Sequence, residues 1–152
     1  MLAAALLGCR KEYNFDVRAD SSTVYGKWVL ISAPNAVTNL LTTNQIAFST
    51  FILKSNDVSE CNFIPIKTNM AYTQFSIPTD WNYFSGQGGW TFSDLGLNGK
   101  HGCVVMLLLA QQGGVDLHFC KKNSGEQFLI YQPHPDSDER VVFGRPSTNN
   151  SK

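Results

Sequence analysis

Apolar and polar side chains alternate with a period of two along most of this chain, the signature of a strand with one buried face. Tyr25–Ser32 is aromatic and β-branched. Gln45–Lys54 places Ile46, Phe48, Thr50 and Ile52 in one row and Phe51 and Leu53 in a second. Asn62–Lys67 contains Pro65, which suits an edge or bulged strand. Ala71–Ile77 sets Thr73, Phe75 and Ile77 on one face, and Gly89–Phe92 is short. Cys103–Ala110, Val115–Lys121, Glu126–Gln132 and Arg140–Gly144 come next at nearly regular spacing. Turn chemistry separates them at Gln111-Gln-Gly-Gly114, Lys122-Asn-Ser-Gly125 and Pro133-His-Pro-Asp136. One segment, Ala36–Leu41, fits a helical turn. Eight or nine short strands joined by polar turns predict an all-β domain over residues 23–145, a single antiparallel β-barrel or β-sandwich. Residues 146–152 read as a flexible tail.

The first residues obey a different rule. Met-Leu-Ala-Ala-Ala-Leu-Leu-Gly at 1–8 is uncharged and small or aliphatic and runs directly into Cys9. Such a run ending in small residues is what a secretion signal presents at its cleavage point. Leu6-Leu7-Gly8-Cys9 resembles the lipobox of bacterial lipoproteins. The resemblance implies diacylglyceryl transfer to the Cys9 thiol, cleavage before it, and removal of residues 1–8. Acyl chains contribute about 0.8 kcal/mol per buried CH₂, so two or more anchor stably where one does not. Residues 9–22 then form a lipidated Cys and polar tether. Arg10-Lys11-Glu12 after the Cys resembles the export tag of surface lipoproteins of the Bacteroidota, with Tyr13 where a second acid is usual. Together these likenesses imply an address in the cell envelope, at the outer membrane, on its surface or periplasmic face.

Charge excludes some partners. Twelve basic and twelve acidic residues balance, and no basic stripe points to nucleic acid. Past the leader, the longest apolar run is Cys103–Ala110, far short of a membrane-spanning helix. Acylation of Cys9 would leave Cys61, Cys103 and Cys120, an odd number.

Gly26-Lys27-Trp28 stands at the head of the first strand. It resembles the Gly-X-Trp signature of lipocalins and related calycin barrels, whose Trp plugs the closed end of the barrel. Thr79-Asp80-Trp81 is a fainter likeness to their second motif. The resemblance implies a late-strand Arg packed on Trp28, with Arg140 and Arg145 as candidates, and a deep apolar cavity on the opposite side. A core Trp beginning a strand gives the same three residues.

Trp81, Tyr83, Phe84, Trp90 and Phe92 interleave with Ser85-Gly-Gln-Gly-Gly89. Exposed on a Gly-rich loop, Trp81, Tyr83 and Trp90 would stack on sugar rings while Gln87 hydrogen-bonds them. Buried, the same rings simply anchor the loop.

His101-Gly-Cys103 and His118-Phe-Cys120 form a doubled His-X-Cys. Positions i and i+2 of a strand share a face, so the four residues together are a tetrahedral Cys₂His₂ candidate for zinc. A hairpin through the Gln-Gln-Gly-Gly turn also brings Cys103 within about one register step of Cys120, and in an oxidising envelope a disulfide between them is the favoured expectation. Cys61 is then left over, or pairs with an unacylated Cys9. Asp136-Ser-Asp138-Glu139 has the oxygen density of a calcium loop without its spacing and reads as a solvated acidic turn.

No nucleophile elbow, phosphate loop, metalloprotease helix or acid pair is visible. The sequence therefore leads to a non-enzymatic, lipid-anchored binding or assembly module, without cofactor, for a small apolar ligand, a glycan or an envelope protein. A metal-binding protein or metalloenzyme using the His-X-Cys pairs is the rival, and a structural subunit of a surface assembly the third reading.

Overall fold

The computed structural model describes residues 12–68, 80–110, 113–134 and 138–148. Cys9 with its lipobox, the Ala71–Ile77 strand and the centres of two expected turns lie outside the described residues. Eight antiparallel strands run in sequence order and close on themselves: β1 (Gly26–Ser32), β2 (Thr50–Leu53), β3 (Val58–Thr68), β4 (Asp80–Asp94), β5 (Cys103–Leu108), β6 (Gly114–Lys121), β7 (Gln127–Tyr131) and β8 (Val141–Gly144). Strand β1 pairs with both β2 and β8, so the sheet has no free edge and the architecture is a barrel, not a sandwich.

The period-two pattern explains the closure. Trp28, Phe51, Leu53, Cys61, Ile64, Ile66, Phe84, Trp90, Val105, Leu107, Leu117, Phe119, Leu129 and Phe143 all turn into one buried cluster. An eight-stranded barrel has an interior just wide enough for side chains or one small ligand. In β3 the inward row changes from Cys61 to Ile64 and Ile66 through a bulge, where Phe63 adopts φ 47°. The bulge is pinned from both sides: the Phe63 N–H donates to Ser85 Oγ (2.8 Å), and its carbonyl accepts from Ser49 Oγ (2.8 Å). The β2 ladder stops at Asn62, so Pro65 has no missing bond on that side and pairs only with Tyr83 of β4.

Among the described residues three short helices precede or join the strands: α1 (Ser21–Val24), α2 (Asn35–Leu40) and α3 (Thr43–Ala47). The α2 helix falls within a residue of the expected helical turn. The α3 helix replaces the first half of the strand expected over Gln45–Lys54. A capping box decides this: the Gln45 N–H donates to Thr42 Oγ1 (3.2 Å) and the Thr42 N–H to Gln45 Oε1 (2.8 Å). The sequence signal is Thr42-Thr-Asn-Gln45, hidden beneath an apolar alternation that continues through it.

The Ser85–Gly89 run is likewise not a loop but the middle of the 15-residue β4. A Cβ at Gly88 would lie 2.2 Å from the Leu108 carbonyl oxygen, so glycine is what lets β4 and β5 approach there.

The segment expected as a free tether is docked from Glu12 onward. Asn14 bridges to Lys121, the Tyr13 ring packs edge-on against Phe128 (5.3 Å), and Val17 and Ala19 pack on the core. Its apolar residues are few but find exposed apolar surface to cover, which a polarity count does not reveal.

Candidate functional site

The two ends of the barrel differ. At one end the chain enters through α1, whose first turn is held by a capping box between Asp20 and Thr23. Directly behind it, Trp28 is fully buried and donates its indole N–H to the Val24 carbonyl (2.9 Å). Arg145, just past β8, lays its guanidinium 3.9 Å from the centroid of the Trp28 ring. The same guanidinium donates to the carbonyls of Thr23 and Tyr25, both at 2.7 Å. Burial pushes the Arg145 pKa down from its ordinary value, but an arginine so far above neutrality remains charged. One side chain thus ties the α1 segment, the first strand and the last strand together and seals this end. Of the two arginines left open by the sequence, Arg145 is the one over the ring.

The opposite end carries α2, α3 and the β7–β8 connection. Here Lys67 pairs with Glu139, and Glu139 also accepts from the Trp81 indole N–H (3.3 Å). The Lys67 ammonium sits 5.4 Å from the Trp81 ring centroid, and the Trp81 ring meets Tyr131 edge-on at 6.2 Å. The Tyr131 hydroxyl accepts from the Lys67 backbone N–H (3.2 Å), and burial raises the Tyr131 pKa. A recess of about 380 Å³ opens nearby, between Ser32–Pro34 and Asp138–Arg140. The apolar interior is therefore rimmed at this end by one compensated charge pair and two amphipathic rings.

Sequence reasoning singles out Trp81 but misses Lys67, Tyr131 and Glu139. In the sequence, Glu139 reads as part of a solvated acidic turn. Its partner lies 72 positions away, and only barrel closure brings the two together.

The four residues expected to contact a ligand do not share one surface. Trp81 is half-buried at the rim. Tyr83 is exposed and faces Phe63 (5.5 Å), and Gln87 is exposed opposite Glu60. Trp90 is enclosed: it donates to the Lys54 carbonyl (2.9 Å) and meets Tyr25 edge-on, so it offers no face to a sugar in solvent.

The cysteine expectations are corrected by register. Val104 pairs with His118, which turns Cys103 into the barrel and Cys120 outward, into a second small cluster with Phe128, Ile130 and Val142. A single register step separates facing from opposite faces, so the expected Cys103–Cys120 disulfide does not form and both thiols are free. The Cys₂His₂ quartet fails for the same reason. His118 points to solvent, His101 is engaged by Asp94 (2.7 Å), and among the described residues no group of three or more His, Cys, Asp or Glu converges.

Neither protein-family models, nor curated proteins, nor solved structures provide a match to this chain. Burial lifts the Cys61 thiol to about 11 and the Cys120 thiol to about 12, which leaves both as inert hydrophobes near neutral pH. Among the described residues the barrel presents an apolar interior packed with side chains, a plugged floor and a polar rim.

Proposed function

We propose that this protein is a lipid-anchored, non-enzymatic binding module of the bacterial cell envelope that takes a small apolar ligand into its barrel from the end opposite Trp28. The observation that carries the reading is the asymmetry of the two ends: Arg145 and α1 clamp Trp28 into the floor, while the far rim holds Lys67, Trp81, Tyr131 and Glu139. The pairing of a Gly-X-Trp head with an arginine over its ring also supports the likeness to lipocalin-type barrels. An apolar ligand is favoured over a glycan because Trp90 is buried and the aromatic candidates are dispersed. Cys9 supplies the anchor in this reading.

The test uses N-phenyl-1-naphthylamine, an apolar fluorophore that brightens on leaving water. The expected result is saturable binding with one site per chain, weakened several-fold by Trp81→Ala. A linear, non-saturating response would reject the ligand reading. Intact mass of the mature N-terminal peptide tests the anchor separately: diacylglyceryl on Cys9 is expected, and an unmodified thiol would remove the anchor while leaving the barrel's ligand chemistry open.

A further inference from the structure

The β4–β5 connection lies at the sealed end and is braced from within. Asp94 Oδ1 accepts from the backbone N–H groups of Gly96 (3.1 Å) and Gly102 (2.8 Å), and Asp94 Oδ2 holds His101 Nδ1 at 2.7 Å. The Leu95 N–H donates to the Gly102 carbonyl and the Lys100 N–H to the Leu97 carbonyl. Asn98 and Gly99 turn the tip with φ 56° and 77°, the two left-handed positions of a tight hairpin turn. On this rigid tip Leu95 and Leu97 are 68% and 78% exposed. Neither leucine side chain helps the turn, which is made by Asp94 and the backbone. Large apolar side chains held rigidly in water mark a contact surface.

The place of this tip decides its occupant. The Asp16 carboxylate accepts from the His101 N–H (2.7 Å), joining the N-terminal strap to the tip, and the neighbouring Phe15 is also exposed. At the start of the strap, Glu12 pairs with Lys122 (2.8 Å) and Asn14 with Lys121. The chain thus leaves the barrel at its sealed end. Three residues reach at most roughly 11 Å even when fully extended, so Cys9 is leashed within that distance of Glu12. Lys100 at the tip and Arg10 and Lys11 along the leash add cationic groups that suit anionic headgroups, while Lys122 is taken up by Glu12.

We infer that the sealed end is a membrane-docking surface: Leu95, Leu97 and Phe15 enter the bilayer interface beside the Cys9 anchor, so the barrel stands on its plugged floor with its far rim directed into the aqueous space. The anchor half rests on the proposed acylation of Cys9. The apolar tip does not. Two acyl chains on Cys9 hold the chain at the membrane by themselves; the tip fixes the barrel's orientation, which a lipid on a free tether would not do.

The experiment uses the full chain carrying Cys9→Ser, which has no acyl chain, and vesicles of phosphatidylethanolamine and phosphatidylglycerol. The chain is expected to sediment with vesicles, and Leu95→Ser/Leu97→Ser to lower that partition tenfold or more. Phe48→Ser, at an equally exposed apolar residue of the opposite end, is expected to leave it unchanged. As an independent reading, Leu97→Trp is expected to gain an emission component quenched by brominated acyl chains. Absent vesicle binding, an unaffected leucine-pair variant, an equal loss in Phe48→Ser, or an unquenched Leu97→Trp would each overturn the inference. A chain that dimerises through the leucines and ignores vesicles would also overturn it, in favour of a self-association surface. An unmodified Cys9 in the mature protein would remove the anchor without altering these vesicle results.

Discussion

The guanidinium of Arg145 lies 3.9 Å from the centroid of the Trp28 ring while donating to the Thr23 and Tyr25 carbonyls, joining the last strand to the first through a single side chain. Arg145→Ala removes a cation–π contact and leaves two carbonyls without their donors. The expected loss is about 2–4 kcal/mol in urea unfolding. Arg145→Lys restores less than half of it, because an ammonium cannot reach both carbonyls and still lie flat on the ring. Stability of the lysine variant equal to the native chain would show that the fork geometry is immaterial.

Three buried thiols make a second expectation. Cys61, Cys103 and Cys120 should be unreactive to Ellman's reagent in the folded chain and react fully on unfolding, with no change in stability on adding reductant. The folded thiols of Cys61 and Cys120 titrate at about 11 and about 12, above the ordinary value near 9. The stabilisation linked to them is complete below pH 9 and is lost as the unfolded thiols ionise between that point and about 12. A stability profile that stays flat from pH 8 to 11 would contradict this burial.

Asp94 titrates in the opposite sense. Its bond from His101, followed by those from Gly102 and Gly96, depresses the carboxyl to about 2. A depressed carboxylate contributes fully above its ordinary value near 4 and loses that contribution as pH falls through about 2. Protection of the Gly96 and Gly102 amides, measured against their intrinsic exchange rates, should therefore fall over this acid window, and Asp94→Ala should lower it already at neutral pH. Equal exchange in the variant and the native chain would mean that the tip is not braced by this side chain.

Two glycines should respond very differently to alanine. Gly88→Ala drives a Cβ to 2.2 Å from the Leu108 carbonyl oxygen, between paired strands, and is expected to cost roughly 3 kcal/mol. Gly99→Ala meets no atom within 4 Å and is opposed only by its left-handed φ, about 1–2 kcal/mol. Thermal unfolding of both variants checks the ranking, which equal melting temperatures would refute.

Much of the architecture was legible in one dimension because inward and outward positions alternate, with Ser59 a polar exception in the inward row of β3 that donates to the Gly89 carbonyl. Trp28 behind Gly26 announced itself in this way, as did the run from Val105 to Phe119. The Thr42–Gln45 capping box was also written in the sequence, but the alternation of Ile46, Phe48 and Thr50 ran across it and masked it. The Gly-rich stretch before Trp90 looked like a loop because glycine is a turn residue. In the barrel it lies mid-strand, where a neighbouring backbone passes too close for a Cβ.

The sequence by itself determined an all-β chain of short strands, with a Trp at its head and enough apolar residues for one interior. Tertiary structure alone decided whether that sheet closed, which arginine covers Trp28, and which face each cysteine sees. Strand parity is local, but register is not. The identity of the residue opposite Cys103, or of the carboxylate beside Lys67, is fixed only when eight strands share one closed ladder, where a slip of one residue would turn a whole apolar row into water.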